Sequence, residues 1–257
     1  MTGFLIVEGN TSNMVARGHS GARGFVNTLS ALVPEAELRI SNPYEGKLNE
    51  ADLQGMDGII FTGSGVHWSV DAPDGTAQHD AMEFALSANL PIWGSCNGLQ
   101  LAMFVLGGAV GASPVGMEVG MARDLAVTED GAVHPMMAGR VSGFAVPCIH
   151  RDEVQVLPDG AMLLAENTHS KVQAVAYECD GIRFWGVQYH PELSLKDIGD
   201  YVRGRGIFST HEGLADDLED AEEDVSAAAR LGTRPDQVVL HQRSLELANW
   251  LQFVTNG

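Results

Sequence analysis

The alternation of short strand-like runs with helical patterns is the feature that most constrains the fold of this chain. In the first hundred residues, strands are predicted at residues 4–7, 37–40, 58–61 and 90–93. Helical spacing of apolar residues falls between them, at residues 21–33 and 76–89. This order is typical of parallel strands joined by helices that cross the sheet. We therefore predict an α/β fold with a doubly wound, largely parallel central sheet flanked by helices, in a flavodoxin-like three-layer arrangement.

The second half of the chain has a different pattern. After Gly108, strand-like segments follow one another with tight-turn signals such as Pro158-Asp159-Gly160 between them. These segments predict additional antiparallel strands that complete the same sheet, at residues 115–127, 144–147, 154–157, 162–166, 172–177 and 182–187. The last third is polar and helical, and it ends in a helix predicted near residues 236–253. No linker separates two parts, so we predict a single domain over residues 1–257.

The charge and the apolar content exclude several classes of function. The formal net charge of −19 disfavours nucleic acid and anionic membranes as partners, because phosphates attract basic surfaces. No apolar run approaches the roughly 20 residues that span a bilayer, and no basic region with an apolar core opens the chain. We therefore predict a cytoplasmic protein.

Eight carboxylates lie between Glu212 and Asp224, which predicts a solvated helix face or a loose insertion; a docking surface for a basic partner is the alternative.

The cysteines and histidines do not form a metal-binding pattern. Cys96, Cys148 and Cys179 lie far apart and are odd in number, which fits neither a disulfide framework nor paired zinc ligands. The nine histidines form no His-x-x-x-His cluster. We predict no metal and no cofactor.

One cysteine nevertheless lies where a reactive thiol is favoured. Cys96 follows the apolar run at residues 90–93, and a helix is predicted directly behind it, at residues 99–106. Gly94 and Gly98 allow a strained turn and the close approach of another group to the sulfur. Free N–H groups at the start of a helix stabilise a thiolate. Cys96 is therefore a candidate nucleophile, although taken alone it could also be a buried structural thiol.

A histidine and a carboxylate follow the last predicted strand. Residues two apart in an extended segment share a face, so His190 and Glu192 are expected to point the same way, with Pro191 stiffening the pair. A carboxylate beside an imidazole fixes its tautomer and stabilises the imidazolium. Taken alone, these residues could be a surface turn. Together with Cys96 and a glycine-rich turn at Gly63, they lie at the carboxyl ends of predicted strands, where α/β sheets place their sites.

These motifs, in this order, resemble the class I (triad-type) glutamine amidotransferases. The resemblance rests on Gly94-x-Cys96-x-Gly98-x-Gln100 and on residues 188–192, which read Gln-Tyr-His-Pro-Glu. Between them, the segments that match further elements of the family are residues 62–65, 118–120, 150–154 and 157–161, the last two ahead of residues 173–175. The likeness covers about residues 4–193.

Two departures from the family pattern stand out. The turn at residues 63–65 reads Gly-Ser-Gly where many members have Gly-Gly-Pro. Residues 194–242 have no counterpart in the minimal domain, which predicts an acidic helical insertion before the closing helix.

The resemblance implies a role for each matched residue. Cys96 would attack the carboxamide of glutamine, His190 would act as the base that later protonates the departing ammonia, and Glu192 would orient it. The backbone N–H groups of Gly63, Ser64 and Asn97 would hold the tetrahedral oxyanion. The side chain of Gln100 would contact the substrate, and His150 would lie near its amino-acid end.

The implied reaction releases ammonia from glutamine through a γ-glutamyl thioester that water then hydrolyses. This sequence shows no ATP-binding loop of the Gly-x-x-x-x-Gly-Lys-Ser/Thr type, so a separate synthetase subunit would receive the ammonia. One alternative, on the same fold, is a γ-glutamyl hydrolase that acts on γ-glutamyl amides or peptides with water as acceptor. A second alternative is a non-catalytic regulatory protein that keeps the fold.

Overall fold

The elements of the fold alternate between strands and helices along most of the chain. The structure, a computed structural model, describes residues 2–205 and 213–256. Its strands are β1 (Gly3–Val7), β2 (Glu37–Ser41), β3 (Gly58–Phe61), β4 (Ile92–Ser95), β5 (Ala109–Ala112), β6 (Glu118–Val127), β7 (Phe144–His150), β8 (Asp152–Val156), β9 (Ala161–Glu166), β10 (Ala174–Tyr177) and β11 (Phe184–Val187). Its helices are α1 (Ser12–Ala16), α2 (Ala22–Leu32), α3 (Glu50–Leu53), α4 (Thr76–Ser87), α5 (Asn97–Val105), α6 (Glu129–Val133), α7 (Leu195–Arg205), α8 (Leu214–Asp220), α9 (Val225–Arg230), α10 (Pro235–Val238), α11 (Leu240–Arg243) and α12 (Leu245–Asn256).

A nine-stranded sheet runs through the described part of the chain in the order β2-β1-β3-β4-β11-β10-β9-β6-β7. The first five strands in this order run parallel to their neighbours. From β11 onward, each strand pairs antiparallel with the next. The predicted fold class is confirmed, since a largely parallel sheet with flanking helices is extended by antiparallel strands.

The strand β1 shows why the sheet needs a helical layer on each face. Side chains alternate across a strand, and every side chain of β1 from Phe4 to Val7 is fully buried. Phe4 and Ile6 pack on one face, in a core with α2 and α12, whereas Leu5 and Val7 pack on the other, in a core with α4 and α5. A strand that is apolar on both faces fits only between two layers.

Two strands of the second half are arranged differently from the prediction. The segment predicted at residues 154–157 was expected to join the central sheet, but β8 instead pairs with β5 in a separate two-stranded sheet. The strand β5 was not predicted. Its sequence, Ala-Val-Gly-Ala, is short and made of small residues, and none of them is fully buried, so it gives little hydrophobic periodicity.

The helix predicted near residues 236–253 is wrong in its extent, because the structure contains three helices there. Val239 has φ −61° and ψ 154°, an extended conformation that ends α10 and precedes α11. Ser244 then separates α11 from α12, and its hydroxyl donates to the carbonyl of Leu240 at 2.5 Å. The apolar spacing continues through these breaks, which is why the pattern predicts one helix.

The described part of residues 194–242, the predicted acidic helical insertion, packs on the antiparallel half of the sheet. Side chains of α7, α8 and α9 form an apolar cluster with Met121 of β6 and Ala145 of β7. The described carboxylates of the acidic run are exposed, as predicted for a solvated face, except for Asp217, which is buried and pairs with Arg230. Asp216 does lie on the surface, and Glu212 lies outside the described residues.

The helices of the described residues give no sign of a membrane span. None of them is both long enough and apolar enough to cross a bilayer.

Candidate active site

Three neighbouring parallel strands bring the predicted site residues to one edge of the sheet. The strands β3, β4 and β11 lie side by side, and their carboxyl ends meet there. Gly63 follows β3, Cys96 follows β4, and His190 follows β11. This edge is where open α/β sheets place their ligands.

Cys96 lies in a strained turn between β4 and α5. Its φ of 51° and ψ of −105° are unusual for a residue with a side chain, and its backbone N–H donates to the carbonyl of Val187 at 2.8 Å. A Cβ on Gly98 would lie 2.4 Å from the carbonyl oxygen of Phe61, and one on Gly94 would lie 2.7 Å from the carbonyl carbon of Gly98. Only glycine fits at both positions, so the local sequence allows the turn that presents the thiol.

His190 and Glu192 form a direct hydrogen bond. The Nδ1 atom of His190 lies 2.7 Å from Oε1 of Glu192, and both side chains are buried. The sequence predicts that they point the same way because the segment is extended. The backbone is instead a turn, in which the N–H of Leu193 donates to the carbonyl of His190 at 3.2 Å. The two side chains therefore meet for a different local reason.

The carbonyl of Ile149 faces both the thiol and the imidazole. It lies 3.3 Å from Nε2 of His190 and 3.8 Å from Sγ of Cys96. The ring nitrogen not bonded to Glu192 and the sulfur thus lie near the same carbonyl oxygen, and the imidazole also interacts with the Cys96 side chain. This order of thiol, imidazole and carboxylate is the arrangement of a nucleophile, its proton carrier and an orienting group.

The charges around His190 favour its protonated form. Burial would lower the pKa of the imidazole, but the carboxylate of Glu192 and the hydrogen-bonding thiol of Cys96 raise it more. The pKa of His190 therefore lies well above its ordinary value of 6.5. A proton held on this ring is available to a departing nitrogen.

The raised pKa of His190 leads to a prediction about how kcat/KM depends on pH. Below its raised pKa His190 carries the proton, so kcat/KM should persist above pH 6.5 and fall as the pH passes the raised pKa. Because Glu192 is the strongest raising influence, Glu192→Gln should move the alkaline fall of kcat/KM to lower pH. A kcat/KM profile against pH measures this, with Glu37→Gln on the exposed edge strand as a control. An unmoved alkaline limb in Glu192→Gln would contradict the assignment.

The turn after β3 is fixed by the loop that follows β1. Thr62 Oγ1 accepts from the N–H of Gly9 at 2.9 Å, Ser64 Oγ donates to the carbonyl of Gly9 at 2.8 Å, and the N–H of Gly65 donates to Asn10 Oδ1 at 2.7 Å. Gly63 lies against the site, since a Cβ there would approach Cε1 of His190 to 2.7 Å. The same Cβ would lie 3.7 Å from Cβ of Cys96, so the turn is held close to the side chains of both His190 and Cys96.

The backbone N–H groups predicted to bind an oxyanion have no other acceptor. Within residues 2–205 and 213–256, those of Gly63, Ser64 and Asn97 donate no hydrogen bond. An N–H left free beside a reactive thiol is available to a developing negative charge.

The two predicted substrate contacts line a cavity beside Cys96, but the side-chain nitrogen of Gln100 and both ring nitrogens of His150 already have partners in the protein. This cavity, of about 290 Å³, is bounded by Cys96, Asn97, Gln100 and His150 among others, and we call it the acyl cavity. Gln100 Nε2 donates to the carbonyl of Asp152 at 2.6 Å. His150 contacts the carbonyl of Asp152 through Nδ1 at 3.1 Å, and its Nε2 lies 2.8 Å from Oε2 of Glu118.

One group of side chains in the described part of the chain could offer three metal ligands, namely Glu118, Cys148 and His150. Although burial raises the pKa of Glu118, hydrogen bonds from His150, Asn167 and Gln173 lower it below its ordinary value. Burial, together with Glu118, raises the pKa of the Cys148 thiol well above its ordinary value. A neutral thiol and an imidazole bonded to a carboxylate form a hydrogen-bonded support for the cavity wall, and we assign no metal to them.

Two contributions to the site were not predicted from the sequence. The carbonyl of Ile149 is a backbone group, so no residue type signals it. Glu8 fixes the loop that carries Asn10 and is buried directly after β1. Its place at the carboxyl end of a buried strand was a signal that could have found it.

The comparisons with known proteins identify the family. The family described as glutamine amidotransferase class-I matches residues 32–206. Over 270 residues the chain is 32% identical to a gamma-glutamyl-L-1-hydroxyisopropylamide hydrolase from Pseudomonas sp., covering 96% of this chain and 91% of that protein. This chain belongs to the class I glutamine amidotransferases, a family of hydrolases with a cysteine nucleophile. The resemblance predicted from the motifs is confirmed.

Further relatives span a range of sizes. The chain is 26% identical over 199 residues to a glutamine-hydrolysing GMP synthase subunit from Methanocaldococcus jannaschii, covering 77% of this chain and 93% of that protein. It spans only 29% of the length of a GMP synthase from Thermomicrobium roseum. A glutamine amidotransferase structure from Thermotoga maritima shares the fold, with a TM-score of 0.69 and 17% identity, covering 100% of this chain and 99% of that one.

Proposed function

We propose that this chain hydrolyses a γ-glutamyl amide, with Cys96 as nucleophile, His190 as proton carrier and Glu192 as its orienting group. The observation that carries the proposal is the geometry of one imidazole. Its Nδ1 lies 2.7 Å from Glu192, and its Nε2 shares the carbonyl of Ile149 with the Cys96 sulfur. The thiol, imidazole and carboxylate needed for covalent acyl transfer are therefore arranged in sequence, with the imidazole between the other two.

The proposed reaction has two steps. The sulfur of Cys96 attacks the amide carbon, the C–N bond breaks, and the departing nitrogen takes a proton from His190. Water then attacks the thioester, gives a proton to His190, and the C–S bond breaks. The products are ammonia or an amine and a free γ-carboxylate.

The proposed oxyanion hole uses the free N–H groups of Gly63, Ser64 and Asn97. One such donor can contribute roughly 3 kcal/mol to transition-state stabilisation. The acyl cavity would then hold the glutamyl half, with Gln100 and His150 in its wall. Both side chains would shape the cavity while bonded to their protein partners.

In the first form of the reaction, glutamine is the substrate and the ammonia passes to a separate synthetase subunit. A relative that belongs to a glutamine-hydrolysing synthase, and of which this chain covers 93%, supports this form. The second candidate is hydrolysis of substituted γ-glutamyl amides with water as the only acceptor. The Pseudomonas hydrolase, which aligns over nearly the full length of both chains, favours it.

We further propose one domain over residues 1–257, with residues 194–242 as an insertion. The family match covers residues 32–206, so it includes the first part of the proposed insertion and leaves residues 207–242 outside it. A cytoplasmic location is part of the proposal as well. It is supported by three cysteines that are all free, as is usual in a reducing compartment.

Steady-state assays of the purified chain test the proposed function. Glutamine and a γ-glutamyl alkylamide would be supplied separately, and glutamate release measured for each. We expect glutamate from at least one of them without metal or cofactor. No glutamate from either substrate, with and without a candidate synthetase subunit, would overturn the proposal and favour a regulatory role.

A further inference from the structure

A cavity of about 350 Å³ adjoins the site on the histidine side, and we call it the leaving-group cavity. His190 and Glu192 line it, whereas Cys96 lines the acyl cavity instead. The two cavities share Ser64, Ile149 and other wall residues, so they meet at the site. Residues of α2 and residues of α7 both line the leaving-group cavity.

The chemistry assigns each cavity one half of the substrate. The acyl carbon must reach Sγ of Cys96, so the glutamyl half belongs in the cavity that Cys96 lines. The departing nitrogen must reach the proton on His190, within about 3 Å. Whatever that nitrogen carries therefore extends into the cavity that His190 lines.

We infer that the leaving-group cavity binds the amine half of a substituted γ-glutamyl amide, a short primary amine with a hydrogen-bonding group. This inference rests on the proposed function and selects its second candidate. Ammonia takes about the room of one water, roughly 30 Å³ in the liquid. A cavity of about 350 Å³ is far larger than ammonia requires.

The walls of the cavity offer polar groups with no protein partner. Arg23 and Asn27 lie four residues apart on α2, so they share a face of that helix. Both side chains are exposed, and neither forms a hydrogen bond or ion pair with any described residue. Groups placed in this way can bond a hydroxyl on the amine.

The carboxylates of the lining are largely paired with cationic groups. Glu192 bonds to His190, and Asp200 forms ion pairs with Lys196 and Arg203. The guanidinium of Arg23 therefore stays available to a hydroxyl on the amine.

The α2 wall is fixed by a buried carboxylate. Oε1 of Glu8 accepts from the N–H groups of Asn10 and Gly21, both at 2.9 Å. Oε2 accepts from the hydroxyl of Ser20 at 2.7 Å and from the N–H of Ala22 at 3.1 Å. These bonds hold the chain before α2 in one conformation, so the cavity is built before a substrate binds.

The second wall comes from α7. Asp197 and Tyr201 lie four residues apart on α7 and both line the cavity.

A substrate series on the wild-type chain tests the inference. The series consists of glutamine, γ-glutamyl ethylamide, γ-glutamyl 2-hydroxyethylamide and γ-glutamylglycine, with glutamate release as the common readout. We expect kcat/KM for the 2-hydroxyethylamide to exceed that for glutamine by about tenfold or more, which is the discrimination a filled pocket provides. The ethylamide should fall between them, and γ-glutamylglycine, whose amine half also fills the cavity, should exceed glutamine.

A pair of matched variants locates the effect. Asn27→Trp places a large side chain in the cavity, and Ser30→Trp places the same side chain at an exposed position of α2 outside it. The ratio of kcat/KM for the 2-hydroxyethylamide to that for glutamine should fall about tenfold in Asn27→Trp. It should stay at the wild-type value in Ser30→Trp. Melting temperatures equal to that of the wild type show that folding is intact in both variants.

The outcomes separate the inference from the proposed function. Glutamine hydrolysis that exceeds hydrolysis of all three substituted compounds overturns the inference and leaves the proposed function standing. A ratio that is unchanged in Asn27→Trp also overturns it. Absence of glutamate release from every compound in the series overturns the proposed function itself.

Discussion

Replacing Cys96 with alanine is expected to lower kcat/KM for any γ-glutamyl amide by at least about 10⁴-fold, because no other group can form the thioester. Cys96 is buried to 6% exposure at the end of β4, and alanine keeps the Cβ that the turn accommodates. The variant should therefore melt at the wild-type temperature. The measurement is glutamate release under single-turnover and steady-state conditions, with thermal unfolding alongside.

Another cysteine, Cys179, supplies the control for that substitution. Cys179 lies outside the site, on a partly exposed turn where its sulfur donates to the carbonyl of Gly160 at 3.6 Å. Cys179→Ala should keep wild-type kcat/KM. A Cys96→Ala variant with more than a few per cent of wild-type activity would show that the thiol is not the nucleophile.

The site was more predictable than its surroundings because its residue types are restricted by geometry. Gly94 and Gly98 must be glycine, since a Cβ on either would lie within 3 Å of backbone atoms. His190 and Glu192 are two residues apart, so their contact needs no knowledge of the tertiary fold. Such local requirements leave a pattern in the sequence.

The parts that could not be predicted depend on long-range packing. The pairing of β8 with β5, rather than with the central sheet, is decided by where the chain goes after α5, and neither strand has distinctive periodicity. The burial of Asp217 depends on Arg230, thirteen residues away on another helix. The leaving-group cavity likewise needs α2 and α7, which are far apart in the sequence.

The segment that carries His190 is anchored by a buried ion pair. Arg140 Nε lies 2.7 Å from Glu246 Oε1, its Nη2 lies 2.8 Å from Oε2, and both side chains are at most 5% exposed. The hydroxyl of Tyr189, next to His190, donates to the same Oε1 at 2.8 Å. A carboxylate in this position needs its guanidinium, since burial alone disfavours its charge.

Arg140→Met should therefore lower the free energy of unfolding by about 3–5 kcal/mol, because it leaves Glu246 buried without a partner. Urea unfolding followed by tryptophan fluorescence measures the loss. The double variant Arg140→Met/Glu246→Gln should recover most of it, since a neutral amide removes the unpaired charge and still offers an oxygen to Tyr189. Lys47→Met, which breaks an exposed pair with Asp80, should leave the unfolding midpoint unchanged. A loss below about 1 kcal/mol in Arg140→Met would mean that Glu246 does not need this ion pair to remain buried.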